Sequence, residues 1–187
     1  MIRIFVALPI PLPVATELAA LVPAPLEGLK RVRPELLHVT LAFVGWLAEA
    51  RVAEVTAAVR EVASAGRPFR VDLTAVGRFP PSGRPRVVWA GIARPAAART
   101  VELGGVVRAS LEAAGLPFDP KPLQPHITLA RIRDDASVEQ ARAVASAVAA
   151  ARVPEGLAFE VDGIDVMSSV LTRSGPRYSL VARAPLG

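Results

Sequence analysis

The chain has 187 residues, 52% hydrophobic and 21% charged, so it carries enough apolar material for a core and is not disordered by composition. It contains no cysteine and two histidines. That excludes disulfides, thiolate nucleophiles, zinc fingers, iron–sulfur clusters and any three-histidine metal site. A net charge of +5 and a sequence pI ≈ 10.9 favour an anionic partner over a cationic one.

In chain order, residues 2–8 read as a first strand. Pro9, Pro11 and Pro13 would break the helix of a secretory leader and Glu17 would charge it, so a proline turn and a short helix over 14–21 follow instead. A second strand spans 37–44. The pattern over 49–65 predicts a helix, with Val52, Val55, Val59 and Val62 on one face and Gly66 closing it. Strands over 69–76 and 86–92 flank the turn-rich segment 77–86, most simply as a hairpin. A helix over 100–114 is stopped by Gly115 and Pro117, although Gly104 and Gly105 inside it weaken its propensity. Then come a strand over 127–132 and a helix over 138–151, with Ser137 and Gln140 spaced as a capping box. Strands over 157–170, broken at Gly163, and 178–183 complete the chain. Hairpins among the alternating elements predict an α+β fold with mainly antiparallel sheets. No run reaches the roughly 18–20 apolar residues of a membrane span, and no low-complexity linker divides the chain. The expectation is one bilobal domain over 1–187, cytoplasmic and monomeric.

The sequence repeats itself once. His38-Val39-Thr40-Leu41-Ala42-Phe43-Val44-Gly45 resembles His126-Ile127-Thr128-Leu129-Ala130-Arg131-Ile132-Arg133, nearly half the chain away, and the two copies hold the only histidines. Side chains alternate along a strand, so His38 and Thr40 share one face, as do His126 and Thr128. The residues between them face the core. A pair of related lobes would set the two His–Thr pairs across a shared gap. In-line displacement at phosphorus needs a base on the entering oxygen and an acid on the leaving oxygen, and two imidazoles supply both near neutral pH. Two threonine hydroxyls can donate to the non-bridging oxygens. No metal and no cofactor is called for. The competing explanation is a duplicated strand whose histidines cap loops or bond backbone groups. There is no HExxH, P-loop, GxSxG or helix-opening GxGxxG motif to suggest another chemistry.

These residues resemble the 2H phosphoesterase superfamily, and within it the RNA 2′,3′-cyclic phosphodiesterases, historically called 2′-5′ RNA ligases. The likeness runs from Arg3-Ile4-Phe5-Val6-Ala7-Leu8 through Pro34-Glu35 and the first octad. It continues through Gly77-Arg78-Phe79-Pro80, Pro85 to Gly91 and the second octad, and ends on the block from Ser169 to Tyr178. The resemblance implies a bilobal α+β fold with two mainly antiparallel sheets, pseudo-two-fold symmetry and outer helices around a cleft. It implies metal-independent hydrolysis of a 2′,3′-cyclic phosphate, on RNA ends or nucleotides, to a 2′-phosphomonoester. His38 would be the proton donor to the departing 3′-oxygen and His126 the proton acceptor from water. Thr40 and Thr128 would hold the phosphate. Arg131 would add charge or stack near the nucleotide, but simple alternation puts it on the face opposite His126, so that role requires a bulge or twist. Phe5 would stack on a base, or else be a core phenylalanine. Arg78, Arg84 and Arg86 would attract the RNA backbone or simply face solvent. Leu36 stands where the family often has Asn, and Ala42 where it often has a basic residue. The alternatives are a nucleotide- or RNA-binding module without turnover, and 2′-5′ phosphodiesterase or ligase activity.

Overall fold

The structure is a computed structural model, and it describes residues 1–22, 26–172 and 175–187. Arg173 and Ser174, in the last block of the resemblance, lie outside the described residues. Among the described residues nine strands and four helices form, in the expected order apart from an added strand, β2 (Leu29–Arg31). They are β1 Ile2–Pro9, α1 Leu12–Ala20, β2 Leu29–Arg31, β3 His38–Leu47, α2 Val52–Ala65, β4 Phe69–Phe79, β5 Val87–Ile92, α3 Arg94–Ala113, β6 His126–Ile132, α4 Val138–Ala150, β7 Ala158–Val161, β8 Gly163–Thr172 and β9 Gly175–Pro185. The break expected at Gly163 separates β7 from β8. The capping box is present, the Ser137 hydroxyl accepting from Gln140 N at 3.1 Å and Ser137 N donating to the Gln140 side chain at 2.8 Å.

Strand β4 runs on to Phe79, into the segment expected as a loop, and β9 begins at Gly175. Two elements differ further from expectation. Helix α3 begins at Arg94, with Pro95 in its first turn, where a proline's missing N–H costs nothing. Gly104 inside it is buried, and a Cβ there would collide with Leu123, so its cost in propensity is offset by close packing. Strand β2 has no counterpart among the expected elements. Three residues, two of them basic, carry no readable alternation, and it is pairing with β6 that makes them a strand.

Every recorded strand pair is antiparallel, and the order is β7-β4-β5-β6-β3-β1-β8-β9, with β2 added beside β6. The two expected sheets are therefore joined edge to edge, through the single registered pair Val39–Ile127 of β3 and β6. Reading outward from that seam, β3, β1, β8 and β9 on one side match β6, β5, β4 and β7 on the other. Helices α2, α3 and α4 pack on one face of this sheet, α2 against β8 and β9, α3 against β3 and β4, and α4 against β4. Val6, Val39, Leu41, Val88, Ala90, Ile127 and Leu129 are buried in that layer.

The opposite face curls in on itself. His38 of β3 and Tyr178 of β9 are three strands apart, about 14 Å on a flat sheet, yet their ring centroids lie 5.5 Å apart. In the other half, Phe79 of β4 and His126 of β6 are two strands apart and 5.2 Å between centroids.

Candidate active site

His38 and Thr40 open β3, and His126 and Thr128 open β6. In each motif the histidine and threonine are partly exposed while the residues flanking the threonine are buried. Because Val39 and Ile127 are direct antiparallel partners, the same register sets His38 opposite Thr128 and Thr40 opposite His126. The four side chains thus form one patch astride the seam, on the face opposite the buried Val39, Leu41, Ile127 and Leu129.

The imidazoles are held alike. Nδ1 of His38 lies 2.7 Å from the carbonyl of Leu36, and Nδ1 of His126 lies 2.6 Å from the carbonyl of Gln124, in each case two residues upstream. A carbonyl only accepts, so each Nδ1 carries the proton and donates it. Each Nε2 is left to take or give a proton. These bonds are of the kind the structural explanation of the repeat invoked, and here they also set the tautomer. The latch is a backbone carbonyl, so the Leu36 side chain takes no part in it.

Aromatic rings wall both histidines. The His38 ring lies 4.9 Å from Phe5 and 5.5 Å from Tyr178, and the Phe5 and Tyr178 centroids are 5.0 Å apart. The His126 ring stands nearly perpendicular to Phe79, which in turn lies 5.2 Å from Trp89. Phe5 is 4% exposed, so it offers little ring surface to a nucleobase and packs against His38 and Tyr178. Burial pulls the His38 pKa below its ordinary value, the hydrogen bond to Leu36 pulls the other way, and the nearby charges of His126 and Arg131 lower it further. His38 is therefore neutral near pH 7 while no anion is present.

The bulge needed by Arg131 is there. Against β5, Trp89 faces Thr128 while Val88 faces Ala130, so Leu129 is an extra residue in β6. Alternation restarts after it, and Arg131, opposite Val87, returns to the face of Thr128. Strand β3 carries the same bulge at the same place. Ala7 faces Thr40 and Val6 faces Ala42, leaving Leu41 as the extra residue. Phe43 is thereby turned onto the site face, where it is 44% exposed. Sequence reasoning did not single out Phe43, although the repeat held the signal, since Phe43 stands at the offset from His38 that Arg131 has from His126.

The other arginines lie elsewhere. Arg84 donates to the carbonyls of Arg133, Asp134 and Ala136 at 3.3, 3.0 and 2.8 Å, and Arg78 donates to Gly83 O at 2.7 Å, so both brace the ends of the β4–β5 and β6 segments. Arg86 is exposed at the start of β5. Among the described residues no group of three or more His, Asp or Glu gathers as a metal site. No helix among them is long and apolar enough to cross a membrane.

Residues 10–172 match the family model of the 2′-5′ RNA ligase superfamily. A protein of Aquifex aeolicus named RNA 2′,3′-cyclic phosphodiesterase is 32% identical over 158 residues, 84% of this chain and 82% of its own. One of the same name from Thermus thermophilus is 34% identical over 171 residues, 87% and 78% of the two chains. Among solved structures, TT0787 of Thermus thermophilus superposes with a TM-score of 0.79 at 32% identity, over 98% of this chain and 97% of that one. Escherichia coli LigT complexed with 3′-AMP shares the fold, with a TM-score of 0.76 at 22% identity over 99% and 98%.

Proposed function

The chain belongs to the 2′-5′ RNA ligase superfamily, and from that premise we propose that it is an RNA 2′,3′-cyclic phosphodiesterase, hydrolysing the cyclic phosphate to a 2′-phosphomonoester by two-histidine acid–base catalysis without a metal. The relatives of that name cover most of the chain at 32% and 34% identity. The observation that carries the mechanism is the pair of carbonyl-latched imidazoles on adjoining strands, each with Nε2 unbonded among the described residues, beside two threonine hydroxyls.

In this reading the phosphate lies over the seam, its non-bridging oxygens accepting from Thr40 and Thr128. Water attacks phosphorus as His126 Nε2 takes its proton, and the P–O3′ bond breaks as His38 Nε2–H protonates the departing oxygen. The 2′-oxygen keeps the phosphate. Afterwards His126 is charged and His38 neutral, and proton exchange with solvent resets the pair. Neutral His38 in the free site acquires its proton together with the substrate, because the diester's negative charge favours the imidazolium. Arg131 adds charge as the transition state gathers it on the oxygens. Phe43, at the matching position in the other half, offers a ring face to the nucleobase. Phe5 and Tyr178 hold His38 in place.

The test is turnover of adenosine 2′,3′-cyclic phosphate, with the product identified by phosphorus NMR. The 2′-phosphate is expected, at a rate unaffected by EDTA. Nucleotide binding without turnover would favour the binding-module alternative, and a 3′-phosphate would reverse the orientation of the substrate.

A further inference from the structure

Strand β2 exists to hold three residues beside β6, and its register sets Lys30 directly opposite Arg131. Direct partners share a face, so Lys30 stands on the site face beside Arg131, on the edge of β6 away from β5. Leu29 packs against the core, and the Val32 amide donates to the carbonyl of Leu129, the bulge residue, at 2.8 Å. Those two anchors fix Lys30 in position. Both Lys30 and Arg131 are exposed. Neither makes an ion pair or side-chain hydrogen bond among the described residues, whereas neighbouring Arg133 is paired with Asp135 at 2.7 Å. Like charges directly opposite one another on a sheet repel. Here the repulsion is left standing at the rim of a site that takes a phosphate.

We propose that Lys30, standing beside Arg131, forms a second phosphate subsite, which receives the phosphate on the 5′-oxygen of the terminal nucleotide. This rests on the reading of the first site as a cyclic phosphodiesterase, and it names the substrate class. In an RNA 3′ end, the phosphate next to the cyclic one is that 5′-phosphate, whereas a bare nucleoside cyclic phosphate has none. The subsite therefore selects RNA ends, or nucleotides phosphorylated at the 5′ position, over cyclic nucleosides. An ammonium on a flexible stem suits it, since it meets a phosphate as a point charge and demands no particular base.

The experiment compares kcat/KM on adenosine 2′,3′-cyclic phosphate, on the same compound bearing a 5′-phosphate, and on the dinucleotide ending in the cyclic phosphate. Wild type is expected to prefer both 5′-phosphorylated substrates. Lys30→Ala is expected to reduce that preference about tenfold, the low end for a hydrogen bond to a charged group, and Lys30→Arg to restore most of it. The slope of log kcat/KM against log salt on the dinucleotide should flatten by about 0.7, the value of one contact on a single strand. Wild type that turns over all three substrates equally overturns the subsite and leaves the cyclic phosphodiesterase reading standing. So does a Lys30→Ala ratio like that of wild type, or a loss confined to the dinucleotide, which would mark a contact to sugar or base. Wild type inactive on all three removes both.

Discussion

Replacing either histidine by asparagine separates the two proton transfers. The asparagine amide nitrogen falls close to where Nδ1 lies, so it can keep donating to the carbonyl of Leu36 or Gln124, now accepted at 2.7 and 2.6 Å, while Nε2 is removed. The strands and the neighbouring rings stay in place, and only the reacting nitrogen is lost. A single general acid or base contributes about 10²–10⁴ in rate, which is roughly 3–5.5 kcal/mol of barrier. On adenosine 2′,3′-cyclic phosphate both His38→Asn and His126→Asn should lose that much in kcat. A bis(nitrophenyl) phosphodiester makes the distinction, because nitrophenolate departs without being protonated. On that substrate His38→Asn should come within about tenfold of wild type, while His126→Asn stays crippled because water still needs a base. Stopped-flow absorbance of the released nitrophenolate reads it directly. Rescue of His126→Asn instead would exchange the two roles, and full activity of either variant on the cyclic nucleotide would refute two-imidazole catalysis.

The remaining predictions concern pH and packing. If His38 is the acid, kcat/KM falls as pH rises past its lowered free-site value, whereas kcat, read with the anion bound, holds to higher pH. Arg131→Gln removes one of the charges that lower His38, so the alkaline limb of kcat/KM should move upward, and a limb that stays put contradicts the assignment. Folding stability should respond as well, because the unfolded chain protonates this imidazole near 6.5 and the folded chain only at lower pH. Stability is then complete above about 6.5 and declines as pH falls toward the folded value. The urea midpoint of His38→Asn should decline less than that of wild type between pH 7.5 and 5.5. Gly77→Ala would drive a methyl into the Trp89 ring. Overpacking of this kind costs about 1–3 kcal/mol, visible as a lower melting temperature. Because Trp89 stands opposite Thr128 and its neighbour Phe79 touches His126, kcat/KM should fall too.

Sequence alone carried the identities of the four motif side chains, since alternation along a strand is a local property and His38 and Thr40 must share a face whatever surrounds them. Helix α4 was equally readable, because its capping box is written within four residues. The bulges at Leu41 and Leu129 were not readable. A bulge is a mismatch with a neighbouring strand, and nothing in the octads says where Ala7 or Trp89 will sit. That is why resemblance placed Arg131 in the site against the alternation, and why Phe43 escaped notice. Strand β2 escaped for the same reason, being three residues whose extended form comes from the edge of β6. Exposure of Phe5 was likewise undecidable until the curl of the sheet brought Tyr178 across to it.

The two matching bulges have a consequence for the direction of the reaction. Two latched imidazoles and two hydroxyls, related by a half-turn, make a device that treats entering and departing oxygens as equals. A bound diester would fit it either way round. Where the halves cease to match, as with a ring at Phe43 against a guanidinium at Arg131 with Lys30 beside it, the patch acquires a front and a back. In the proposed reaction these unlike residues at matched positions would help to orient the substrate without touching a histidine.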